Sequence, residues 1–112
     1  MITTQMLKGV LEGCILQIIN EEETYSYEIT KKLEEYGLGE VSEGTIYPLM
    51  LRLQKNELVS SVLKESNSGP KRKYFNLTDK GIQELEQFKQ NWTDLSTSVN
   101  KLIGGIKNEQ KR

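Results

Sequence analysis

Two short stretches carry the residue types that a chemical function would need. The first is Ser42-Glu43-Gly44-Thr45-Ile46-Tyr47-Pro48-Leu49-Met50-Leu51-Arg52-Leu53. As a helix capped by Ser42, it buries Ile46, Leu49, Met50 and Leu53 on one stripe. Its open face then holds Gly44, Thr45, Pro48, Leu51, Arg52 and Lys55, with Tyr47 on the flank. Small and hydrogen-bonding groups at a helix start suit entry into a DNA major groove, which is about 12 Å wide. Gly44 permits close backbone approach, and Ser42 with the first helix amides can hold a phosphate. Pro48 removes one backbone bond at a cost of about 3 kcal/mol, which an ordinary surface helix would avoid. The plainer explanation of Pro48 is a helix kinked for packing.

The second stretch is Gly69-Pro70-Lys71-Arg72-Lys73. A basic hairpin tip fits a phosphate grip or a minor-groove contact. The plainer explanation is a solvated charged loop.

Both stretches need a scaffold. Leu7, Val10, Leu11, Cys14, Ile15, Ile18 and Ile19 recur at helical spacing, which predicts one helix ending before Glu21-Glu22-Glu23. Cys14 lies inside that stripe as a buried structural thiol, because no cation or His lowers its pKa. A second helix starts with Ser26 as N-cap and Glu28 in its first turn, buries Ile29, Leu33 and Tyr36, and stops at Gly37 and Gly39. The Ser42 helix is the third, with Asn56 as the left-handed residue that ends it. Leu58 to Glu65 reads as a strand, Ser66 to Pro70 as a turn, and Arg72 to Leu77 as the returning strand. Thr78 caps a last helix. This order of elements is a winged helix-turn-helix.

The last helix carries Leu85, Phe88, Trp92, Leu95, Val99, Leu102 and Ile106 at alternating spacings of three and four. Such a narrow heptad seam needs a partner helix, either the first helix of the same chain or a second copy. A second copy is favoured, with the first helix joining in, because a body of this size is marginal alone. The expected surface between copies is Leu7, Leu11, Leu85, Leu95, Val99 and Leu102. Trp92 and Phe88 either pack the dimer core or wall a cavity for a planar hydrophobic ligand. Gly104 and Gly105 interrupt the helix end, so Ile106 falls outside it.

Composition excludes several function classes. The chain of 112 residues has one Cys and no His. An intramolecular disulfide, the usual zinc sites and His-based catalytic dyads are therefore out of reach. No acid/base motif or Gly-rich phosphate loop is present, so neither an enzyme nor a metal or cofactor site is expected. The absence of a long apolar run and of a signal-like start points to a cytoplasmic protein. The net charge of −1 hides an asymmetry, because residues 1–43 carry three basic and nine acidic side chains while residues 44–112 carry twelve and seven. The basic excess lies where the two chemical stretches lie, and local charge governs DNA contact.

Three blocks also resemble the PadR-like bacterial transcriptional regulators over residues 5–103. Leu7-Lys8-Gly9-Val10-Leu11-Glu12-Gly13-Cys14-Ile15-Leu16 resembles the family's first helix, the Ser42–Leu53 block its recognition helix, and Gly69-Pro70-Lys71-Arg72-Lys73-Tyr74-Phe75-Asn76-Leu77-Thr78 with Gly81 its wing. The resemblance implies a homodimeric repressor that releases DNA on binding a small effector. It assigns Ser42, Gly44, Thr45, Tyr47 and Pro48 to the recognition element and Lys71, Arg72 and Lys73 to the wing. The single short last helix resembles the compact branch, some members of which place an aromatic facing the dimer cavity at the position of Trp92. Ser26 and Glu57 stand where the family often has Gly, which bears on loop geometry.

The expected fold is therefore mainly α with a small β hairpin. Residues 1–78 are expected to form the DNA-binding domain, residues 79–106 a dimerisation helix and residues 107–112 a polar tail. The expected partners are double-stranded DNA, a second copy and a small planar hydrophobic effector, with Arg52 added to the DNA-facing set. The alternative is a winged-helix protein-interaction module that uses its acidic first 43 residues and binds no specific DNA.

Overall fold

The computed structural model describes residues 2–67 and 69–104. The elements are α1 (Thr4–Leu7), α2 (Leu11–Glu21), α3 (Ser26–Glu35), α4 (Glu43–Lys55), β1 (Val59–Ser66), β2 (Gly69–Leu77) and α5 (Asp79–Ile103). The fold is mainly helical with an antiparallel hairpin and a long last helix, as the sequence predicts.

Several boundaries differ from the expected ones. The first predicted helix is split at Lys8–Val10, where Val10 leaves helical geometry with φ −120° and ψ −10° and caps α2 without a side-chain bond. Gly9, a poor helix former, lies in the break. Tyr25, not Ser26, is the N-cap of α3. Asn56 keeps φ −83°, and the left-handed residue after α4 is Glu57 at φ 63°. The second strand begins at Gly69 because the turn is tighter than expected. Ser66 pairs with Gly69, and its hydroxyl donates to the carbonyls of Gly69 at 3.1 Å and Pro70 at 2.8 Å.

The core gathers Ile15 and Leu16 of α2, Ile29 and Leu33 of α3, Ile46, Met50 and Leu53 of α4, Phe75 of β2 and Leu85 of α5. Each such side chain contributes about 1.5–3 kcal/mol by leaving water. α4 and the hairpin are thus anchored to the same core.

Two glycines let elements approach closely. A Cβ on Gly81 would lie 2.0 Å from the Leu58 carbonyl oxygen, and one on Gly13 would lie 2.3 Å from the Phe88 ring. Thr78 closes the first of these junctions. Its hydroxyl donates to the Glu57 carbonyl at 2.6 Å and accepts from the Gly81 amide at 3.0 Å.

Candidate nucleic-acid interface

Ser42 caps α4 as expected. Its hydroxyl lies 3.2 Å from the Thr45 amide, which donates to it, and 3.2 Å from the Thr45 hydroxyl. The cap fixes the first turn, and the turn fixes which face looks out. Ile46, Met50 and Leu53 are buried, whereas Gly44, Thr45, Tyr47, Pro48, Leu51 and Arg52 are exposed. Pro48 lies inside a helix that continues to Lys55. Lacking an N–H, it leaves the Gly44 carbonyl without its usual donor four residues on. That acceptor belongs to the exposed first turn.

A Cβ at Gly44 would meet only the Ser42 hydroxyl oxygen, at 3.6 Å. The fold therefore does not need a glycine there, in contrast to Gly13 and Gly81.

The hairpin stands beside this helix. Lys71, Arg72 and Lys73 are all exposed along β2. An open cleft of about 600 Å³ runs between the two, lined among others by Ser26, Glu43, Tyr47, Arg72 and Lys73. The start of α3, the start of α4 and the wing thus converge on one surface. Two of the expected DNA-facing cations are engaged within the chain. Arg52 pairs with Glu12 of α2 through its Nε and Nη2 atoms. Arg72 donates from Nη1 to the Tyr25 hydroxyl at 2.8 Å, and its guanidinium lies 4.5 Å from the Tyr25 ring centre. Lys71 lies 3.7 Å from Glu65 at the exposed tip, too open a pair to count for much.

Sequence reasoning missed what holds the wing. Glu23 accepts hydrogen bonds from Lys64 of β1 and, at 2.7 Å, from Asn76 of β2. The Lys64 bond first, and then the Asn76 bond, hold its carboxyl below the usual carboxylate range. Thr24, buried, exchanges backbone bonds with Phe75, and its hydroxyl donates to Glu28 at 2.8 Å. No alternation of polar and apolar residues marks Glu22 to Tyr25 as a strand, so the sequence carried no readable signal for this contact.

On the opposite side, the seam of α5 is divided. Leu85 is buried and Phe88 packs on the core, while Trp92, Leu95, Val99 and Leu102 are exposed. Leu7, Leu11 and Leu85, expected between copies, are buried within the single chain, because α1, α2 and the start of α5 turn their apolar sides to their own core. Ile106 lies outside the described residues. Cys14, Gln17, Ile18, Tyr36, Phe88 and Trp92 line part of an apolar cavity of about 510 Å³ between α2 and α5. Burial pushes the Cys14 thiol up, so it stays protonated at neutral pH. The Gln17 side-chain oxygen is buried without a hydrogen-bond partner among the described residues.

Among the described residues, no helix is long and apolar enough to cross a membrane, and no group of three or more His, Cys, Asp or Glu could hold a metal ion.

Comparison with known proteins agrees with this geometry. Residues 15–87 match the family described as Transcriptional regulator PadR-like family. The chain is similar to the crystal structure of a PadR-like transcriptional regulator, BC4206, from Bacillus cereus strain ATCC 14579, with 59% identity, a TM-score of 0.81, and coverage of 89% of this chain and 97% of that one. A Streptococcus transcriptional regulator is 44% identical with a TM-score of 0.79, over 89% of this chain and 98% of that one. The transcriptional regulator YqjI of Escherichia coli strain K12 is 33% identical over 81 residues, which are 70% of this chain and 37% of that protein.

Proposed function

Given that the chain belongs to the PadR-like family of transcriptional regulators, we propose that it is a homodimeric repressor that binds an inverted-repeat operator through α4 and the wing. The observation that carries the reading is the shared cleft where the start of α4 meets the basic wing. A recognition helix beside a cationic hairpin offers base readout and phosphate grip at one place. Gly44 supports the same reading, since its missing side chain serves no contact inside the fold. Ser42, Gly44, Thr45, Tyr47 and Pro48 form the helix part of the surface. Lys71 and Lys73 supply the phosphate contacts, while Arg52 and Arg72 are held in their intrachain pairs.

The division of labour follows the elements. Residues 1–78 form the DNA-binding domain and the helix that begins at Asp79 joins two copies through Leu95, Val99 and Leu102. Residues 105 and 106 of the 79–106 segment and the tail at 107–112 lie outside the described residues. A dimer of this kind sets two recognition helices about 34–36 Å apart, one turn of duplex.

The cavity between α2 and α5 supports release by a small planar hydrophobic effector. Trp92 and Phe88 offer flat apolar walls. Release follows only if the ligand binds the DNA-free conformation more tightly.

The test is fluorescence anisotropy with the duplex upstream of the chain's own gene, a scrambled duplex alongside, at several salt concentrations. Saturable preference for the upstream duplex is the expected result. If the protein binds a partner protein but selects no duplex even from a random pool, the interaction-module alternative replaces this reading. Trp92 emission then reports on the effector, and quenching by a planar aromatic compound with unchanged DNA affinity would mean a pocket without regulation.

A further inference from the structure

We propose that Glu23 and Tyr25 are positioning residues of the DNA interface, which clasp the wing at a fixed angle to α4, and that Arg72 serves this clasp instead of gripping a phosphate. The inference rests on the DNA-binding reading above.

A hairpin of two strands is marginal on its own. Here the residue pair Thr24 and Phe75 ties it to the body, with the Phe75 amide donating to the Thr24 carbonyl at 2.7 Å. Val59 and Phe75 also seat the base of the hairpin in the core, and Gln54 of α4 donates to the Ser61 hydroxyl at 3.1 Å. Glu23 and Tyr25, the two neighbours of Thr24, hold the part of the wing beyond that base. Glu23 takes hydrogen bonds from both strands at once, from Lys64 and from Asn76. Tyr25 carries the Arg72 guanidinium on its ring face and hydroxyl, and its ring lies 5.1 Å from that of Tyr74. Lys64 in turn lies 5.1 Å from the centre of the Tyr74 ring. Because Tyr25 is also the N-cap of α3, which packs on α4, the wing is referred to the recognition helix through three successive residues.

Charge makes the role of Glu23 specific. A carboxylate beside a phosphate-binding hairpin repels DNA, so direct contact gives no reason for its presence. A clasp gives one. Arg72 has a matching argument. Its guanidinium lies over the Tyr25 ring while Nη1 donates to the hydroxyl of the same side chain, a two-point contact that a Lys ammonium does not reproduce.

The experiment measures binding by the full chain to the duplex that the unaltered protein enriches from a random pool. Coulomb repulsion alone predicts that Glu23→Gln tightens binding. The clasp predicts weakening by about tenfold, the scale of one lost charge-assisted hydrogen bond. In a background of Lys71→Ala with Lys73→Ala, Glu23→Gln should add nothing, because it acts through wing contacts already lost. Arg72→Lys should weaken binding as much as Arg72→Ala. Hydrogen exchange gives a readout without DNA, and amides of β2 should exchange faster in Glu23→Gln while those of α4 do not change. Tighter or unchanged binding by Glu23→Gln, an undiminished effect in the background lacking Lys71 and Lys73, full binding by Arg72→Lys, or unchanged exchange in β2 would each overturn the clasp. If the unaltered protein enriches no duplex, the DNA reading falls and the interface role falls with it, while faster exchange in β2 would still identify the clasp as a property of the fold.

Discussion

The two halves of α5 carry one heptad pattern and meet opposite fates. In the first half, Leu85 is buried and Phe88 lies against α2 where Gly13 leaves room. In the second half, Trp92 is 50% exposed and Leu102 is 85% exposed. The pattern is the same, so the difference lies in what stands opposite. The first half has used its apolar side inside the chain. The second half has a stripe that its own chain leaves in water, which is where a second helix would gain the most. Unexplained exposure and unexplained smallness are thus the informative features here, and Gly44 on α4 is the polar counterpart of the bare seam.

The largest expected effect breaks the first half. Gly81→Ala forces a Cβ onto the Leu58 carbonyl at the root of α5 and should cost about 3 kcal/mol, read by denaturant unfolding at fixed protein concentration. Gly13→Ala should cost about 2 kcal/mol, less because the Phe88 ring can give way. Loss of less than about 0.5 kcal/mol in both, the range of neutral surface changes, would mean that α5 is not seated as described.

Leu95→Glu with Leu102→Glu sharpens the second half. Helical content should persist while sedimentation shows the mass of a single chain. A dimer that survives both charges would move the interface away from this stripe. Trp92 should report the same event more gently. Its emission should shift to the red on dilution as the pair separates, and a spectrum independent of concentration would remove Trp92 from the interface.

The smallest effect is in the turn after α4. Glu57 holds φ 63°, a conformation that costs a non-glycine residue about 1–2 kcal/mol. Glu57→Gly relieves this but loosens the unfolded chain, so a net gain of about 0.5 kcal/mol is expected from thermal unfolding.

Much of the fold was legible because its signals are local. Ser42 and Thr78 are caps within three residues of the amides they accept from. The stripe Ile46, Met50 and Leu53 followed from helical spacing, and so did the exposed set Gly44, Thr45, Tyr47 and Pro48. The break at Lys8–Val10 was hidden because the apolar spacing runs straight through it. Glu57 was legible only as a departure from the family's usual Gly, and the structure adds the local bonds that close its left-handed turn, from the Glu57 amide to Gln54 and from the Leu58 amide to Leu53. The inward turn of Arg72 was hidden because Tyr25 is a neighbour in space and not in sequence.

By itself the sequence determined the order of elements, the caps, the face that each helix offers, and the three blocks that resemble the family. These depend on interactions within one or two turns of chain, which residue spacing encodes directly. Tertiary structure alone decided which cations stay open, how the wing is held, and where the heptad seam changes from core to surface. Those outcomes depend on which groups meet across the fold, and a side chain's spacing in the chain carries no record of the partner that satisfies it.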